Sequence, residues 1–247
     1  MENDRLDASV QEEHGYLAES RSFALSVLSI LPLIALYQVG IVRSGYPERN
    51  LAELWLVGPL RLVGLGAAHV LNVALVVAFV AALVRSERTR SLGLAVVMGI
   101  VGEGALYAAL LYRGAPAIAG IVDERAAHVF FANRMPPGGP VLLALGAGVY
   151  EELVFRLLLV GGGALALRVV FLWGKVPSVA MALAVSSVLF ALAHHIGPSG
   201  EPLESYSLLF RTVCGLLLGV VFLTRGLGVA VWTHAIYNAL VMAHRLG

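Results

Sequence analysis

Residues 141–160 read VLLALGAGVYEELVFRLLLV, a run long enough to cross the roughly 30 Å hydrocarbon core of a bilayer as one helix. All but three of its side chains are apolar or small or, at Tyr150, aromatic. The three are Glu151, Glu152 and Arg156, and they lie near its middle. On insertion scales each such charge costs about 2.5–3.5 kcal/mol at the bilayer centre, so a chain that keeps three together is using them. Glu152 and Arg156 are four apart with the acid first, which places them on one helix face in the favourable order for an ion pair. Glu151 is turned about 100° from Glu152. It is the carboxylate expected to face a cavity.

The rest of the chain is written in the same style. Of its 247 residues 59% are hydrophobic and only 13% charged, with a mean hydropathy of +0.84. A soluble domain carries roughly a quarter charged residues, and this chain cannot clothe a globule in polar surface. Besides 141–160, six further stretches approach spanning length: Phe23–Val42, Leu62–Val84, Leu92–Tyr112, Val176–His194, Ser207–Leu223 and Gly228–His244. The predicted fold is therefore all-α: a polytopic transmembrane bundle of about seven helices, within a range of six to eight. Residues 161–163, three glycines, read as a break after the fourth span, and the apolar stretch to Trp173 is too short to span. An eighth element fits within 115–131 or 164–173.

Residues 1–22 hold six acids against Arg5 and Arg21 and read as a polar tail with an interfacial helix near its end. No basic segment precedes the first apolar run, so it is not a signal peptide. Residues 23–247 form one transmembrane domain without internal repeats. The loop 85–91 carries three arginines and the loop 195–206 none, which by the positive-inside rule puts the N-terminus in the cytoplasm. A single cysteine, Cys214, excludes an intrachain disulfide, and a net charge of +1 without a basic stripe argues against nucleic-acid binding. Sixteen of the seventeen cations are arginine, which together with the Ala, Gly, Val and Leu excess points to a bacterial source and an inner (cytoplasmic) membrane.

Two further polar clusters interrupt hydrophobic spans. The fifth ends Phe190-Ala191-Leu192-Ala193-His194-His195, and the seventh contains His234-Ala235-Ile236-Tyr237-Asn238. His234 and Asn238 are four apart and share a face, so an imidazole and an amide can both donate to one oxygen, as an oxyanion hole requires. Glu151 and His194 can hold and deprotonate a water. Helices around them would exclude bulk water and strengthen these effects. This is the equipment of amide hydrolysis.

The three clusters resemble the motifs of the CPBP family, the CAAX proteases and bacteriocin-processing enzymes that include the Rce1-type prenyl-protein endopeptidases. Glu-Glu-x-x-x-Arg is met by Glu151, Glu152 and Arg156, Phe-x-x-x-His by Phe190 and His194, and His-x-x-x-Asn by His234 and Asn238, in the family's order over about residues 140–244. The resemblance implies a glutamic-type intramembrane protease in which Glu151 and His194 activate water while His234 and Asn238 hold the oxyanion. Glu152, Arg156 and Phe190 then support the site. It implies a membrane-associated protein or peptide as substrate, of the prenyl-protein kind or of the C-terminal sorting-tail kind cut by myxosortases. No cofactor is required, and a divalent metal such as zinc is compatible with the residues.

Other readings use the same side chains. Intramembrane carboxylates and histidines also serve proton- or ion-coupled transporters, which favour inverted repeats that are missing here. A non-catalytic immunity or scaffold protein could keep the fold. His195 reads as a loop-edge residue, Phe190 as packing that sets the His194 rotamer, and Cys214 as a small buried hydrophobe. Glu103 is expected to line the cavity or to pair with a cation such as Arg211, itself near a helix end. His69 and Asn72 read as packing donors. No His-Glu-x-x-His, Gly-x-Ser-x-Gly or phosphate-loop signature occurs.

Overall fold

The computed structural model describes residues 15–44, 51–62, 77, 89–122, 139–197, 200 and 202–246, and among them it contains helices and turns but no strand. The helices are α1 (Tyr16–Glu19), α2 (Phe23–Ser44), α3 (Leu51–Leu62), α4 (Thr89–Val122), α5 (Gly139–Glu152), a π-helical segment (Leu153–Gly162), α6 (Gly163–Val170), α7 (Lys175–Ala193), α8 (Ser205–Arg225) and α9 (Leu227–Leu246). Five stretches are long and apolar enough to cross a membrane: Phe23–Gly40, Gly93–Ile118, Leu145–Val170, Lys175–Ala193 and Ser205–Arg225. Leu227–Ala243 is a shorter apolar helix. The all-α, polytopic architecture is the one expected from hydropathy. The anticipated span Leu62–Val84, apart from Leu62 and Val77, the loop 85–91 for the most part, and His69 and Asn72 lie outside the described residues.

The helix carrying Glu151 differs from expectation. The three glycines do not break it: α5, the π segment and α6 run on from Gly139 to Val170, so 164–170 is no separate element. Lipid and packed helices offer few outside partners for backbone N–H and C=O groups, so the backbone satisfies itself by staying helical even through glycine. The break is replaced by a change of winding. Ser186 on α7 donates to the carbonyl of Phe155 at 2.5 Å, inside the wide-wound segment. Likewise α4 extends well past Tyr112, and residues 115–122 belong to its tail.

α9 is the hub. It packs against α2, α4, α5 and α8, and its Val229, Ala230 and Val231 are fully buried. Small residues bring its neighbours close: a Cβ added to Gly148 on α5 would stand 2.6 Å from the Ala235 Cβ of α9. α7 packs instead on α8, on α6 and on the π segment. The helix running from Gly139 to Val170 thus lends its first half to α9 and its second to α7, and Glu151 and Glu152 sit where it changes partner.

α1 and α3 are too short to span. α1 docks on α4, where the Tyr16 hydroxyl donates to Glu103 at 2.6 Å. Burial, with Glu103 adding to it, pushes that phenol up to about 12. Arg225 at the end of α8 binds both Glu103 oxygens and donates to Ser20 at 2.9 Å. The partner of Glu103 is therefore Arg225, not Arg211. The packing of α8 on α4, together with Tyr16 and Ser20 from α1 and its exit, surrounds that guanidinium with acceptors and an aromatic face. α3 carries a half-exposed Trp55 and a buried Glu53, which accepts from the Tyr37 phenol of α2.

Candidate active site

His194 lies just past the last residue of α7, where its Nδ1 donates to the Phe190 carbonyl at 2.8 Å. That bond leaves Nε2 directed inward. His234, on the buried face of α9, donates from Nδ1 to Glu152 at 2.7 Å and likewise presents Nε2 inward. Both Nε2 atoms face the same oxygen of Glu151, His194 at 3.8 Å and His234 at 3.9 Å. These separations exceed a direct hydrogen bond and are of the size that one bridging water spans. The carboxylate and both rings are largely buried, Glu151 being 12% exposed.

Phe190 does more than set one rotamer. Its ring meets His194 edge-on at 4.9 Å, His234 at 5.8 Å and Phe155 at 5.3 Å, and the Arg156 guanidinium lies 4.6 Å above it. The Glu152–Arg156 pair expected from spacing is present, Nε to Oε2 at 3.2 Å, with both side chains buried. Arg156 also donates to the Gly215 carbonyl at 3.3 Å. Asn238 follows His234 by one helical turn and is partly buried. His195 sits in the turn after α7. Among the described residues, no group of three or more His, Cys, Asp or Glu side chains is disposed to hold a metal ion.

Spacing did not show that Glu152 binds His234 or that Ser186 holds the π segment. Ser186 had a signal: it lies four residues before Phe190 and eight before His194, on the same helix face. The Glu152–His234 bond had none, since it joins residues 82 apart on two helices.

Residues 134–240 match the model of a family described as type II CAAX prenyl endopeptidase Rce1-like. The segment is similar to the Rce1-like family. Every residue assigned above to the candidate site falls within it. The comparisons with curated proteins and with solved structures gave no match. That likeness, together with five helices long and apolar enough to cross a membrane, supports an integral membrane protein with endopeptidase activity.

In the Rce1-like segment the Glu152–Arg156 pair carries a stability prediction. Arg156→Ala strands a buried carboxylate, and loss of one member of a buried pair costs about 3–5 kcal/mol. The variant is expected to unfold at a clearly lower temperature in detergent, measured by the loss of helical circular dichroism.

Proposed function

We propose that the chain hydrolyses a peptide bond of a membrane-embedded or membrane-proximal protein by a metal-free, glutamic-type mechanism. The observation that carries this reading is the convergence of two imidazole Nε2 atoms on one oxygen of Glu151. A water in that hollow is oriented by His194 and gives a proton to Glu151 as its oxygen attacks the scissile carbonyl. The carbonyl π electrons move to oxygen, and His234 and Asn238 receive the resulting oxyanion. Collapse of the tetrahedral intermediate breaks the C–N bond, and Glu151 returns its proton to the leaving amine. General base catalysis of this kind contributes about 10²–10⁴-fold, and oxyanion donors about 10²–10³-fold each.

The family resemblance favours a substrate with a CAAX-like or C-terminal sorting tail, and the composition favours a bacterial inner membrane. The test compares protein N- and C-termini in a deletion strain complemented with the wild-type gene or with Glu151→Gln. A set of new termini present only with the wild type is the expected result, and identical termini in both strains would reject the reading. A second expectation concerns metal. Cleavage of a reporter peptide ending in a farnesylated CAAX sequence should survive EDTA and 1,10-phenanthroline, and loss of activity restored by added zinc would refute the metal-free scheme.

A further inference from the structure

Spacing makes Glu152 the partner of Arg156, and the hydrolytic scheme leaves it no step. Yet its buried carboxylate is divided between two neighbours. Oε2 faces Arg156 Nε at 3.2 Å, and Oε1 accepts from His234 Nδ1 at 2.7 Å. Arg156 is itself held by the Gly215 carbonyl and by the Phe190 ring. The ion pair is thus a bracket anchored on α8 and α7, with one carboxylate oxygen left over for α9.

We infer that Glu152 is the positioning residue of His234: its carboxylate, clamped by Arg156, keeps a proton on Nδ1 and turns Nε2 toward Glu151. The catalytic consequence rests on the hydrolase reading above, whereas the ring geometry does not. A carboxylate oxygen accepts only, so the nitrogen facing it carries the hydrogen. A charge-assisted bond of this length is roughly twice as strong as a neutral one. Without it, a histidine on a helix can flip its ring and exchange tautomers, and only one combination presents Nε2 to the cavity with Nδ1–H behind it. For Nε2 to donate to an oxyanion as well, the ring must hold two protons, and Glu152 is the carboxylate in contact with it on the far side.

The two imidazoles are therefore oriented alike by unlike acceptors. His194 is held by a backbone carbonyl, which no side-chain replacement removes. His234 is held by a charged side chain. A change at position 152 acts on one ring and spares the other, and this asymmetry separates a positioning role from a merely structural one.

The experiment is ring 15N–1H correlation spectroscopy of histidine-labelled protein in micelles, with His194→Gln and His234→Gln variants assigning the two rings. In the wild type His234 is expected to carry a proton on Nδ1. In Glu152→Gln its pattern should change, while that of His194 stays. On the farnesylated CAAX reporter peptide, kcat per folded molecule should fall roughly 100-fold with KM within about twofold of wild type. A wild-type His234 protonated on Nε2 alone overturns the inference, and so does a Glu152→Gln protein with unchanged ring pattern and kcat. If Glu152→Gln does not fold, the wild-type spectrum still decides the tautomer, and Glu152→Asp, one methylene shorter but still charged, should weaken the bond and lower kcat. A wild type that cleaves no substrate yet shows the expected ring pattern rejects the hydrolase reading and leaves the positioning role standing.

Discussion

Glu151→Gln is expected to abolish proteolysis and leave the protein folded. Glutamine matches glutamate in size and keeps hydrogen-bonding atoms in place, so the helix that carries it has no cause to move. It cannot take the proton of an attacking water, and the loss of that step removes about 10²–10⁴-fold of rate. Two imidazoles already direct the same ring nitrogen at the Glu151 carboxylate. The measurement is cleavage of the reporter peptide at equal amounts of folded protein, with helical content and unfolding temperature as controls. A Glu151→Gln enzyme that cleaves at the wild-type rate would remove the central base from the scheme.

Gly148→Val is the second large effect, and it acts through packing. A Cβ at 148 would come within 2.6 Å of the Ala235 Cβ and within 2.7 Å of the Ala235 Cα and backbone nitrogen. Backbone cannot swing aside as a long side chain can, so α5 and α9 must separate. Overpacking of this kind costs about 1–3 kcal/mol. The position also bears on chemistry: Gly148 lies three residues before Glu151, and Ala235 is next to His234. Parting the two helices there moves the carboxylate away from the ring, and a misplacement of about 1 Å can lower a rate 10²-fold. Gly148→Val is therefore expected to lower the unfolding temperature and to lose roughly 100-fold or more in cleavage per folded molecule. Gly102→Ala on α4, where an added Cβ meets nothing within 4 Å, is the control and should behave as wild type. Equal activity of both variants would show that the α5–α9 approach does not set the site.

Lipid is a permissive solvent for apolar side chains and a severe one for polar backbone, and that is why so much of this chain is legible by eye. Runs near 20 apolar residues can only be helices there, so five of the expected spans appear as long apolar helices, with α9 a shorter one. The same severity makes Glu151, Glu152, Arg156, His194 and His234 conspicuous, because charge and imidazole in such runs need a reason. It also explains where the reading failed. Gly161, Gly162 and Gly163 break helices in water, where loose backbone finds partners. Here they lie within a continuous helix, next to a π segment that receives a hydrogen bond from Ser186. Its place in a hydrophobic helix lets Glu103 either line the cavity or pair with a cation; which cation depends on the helix that lies beside α4, and that brings Arg225 of α8.

The pattern along a helix is local, and by itself it determined the helical class, five of the expected spans, the Glu152–Arg156 pair and the shared face of His234 and Asn238. Only the packing of α5, α7 and α9 decided that Glu151 meets both rings, that Glu152 holds His234 from behind, and that Phe190 touches both histidines. The reason is range: a spacing of four residues fixes neighbours within about 6 Å on one helix, whereas contacts between helices depend on small residues such as Gly148 and on the changed winding after Glu152, whose effects appear only when the chain is folded.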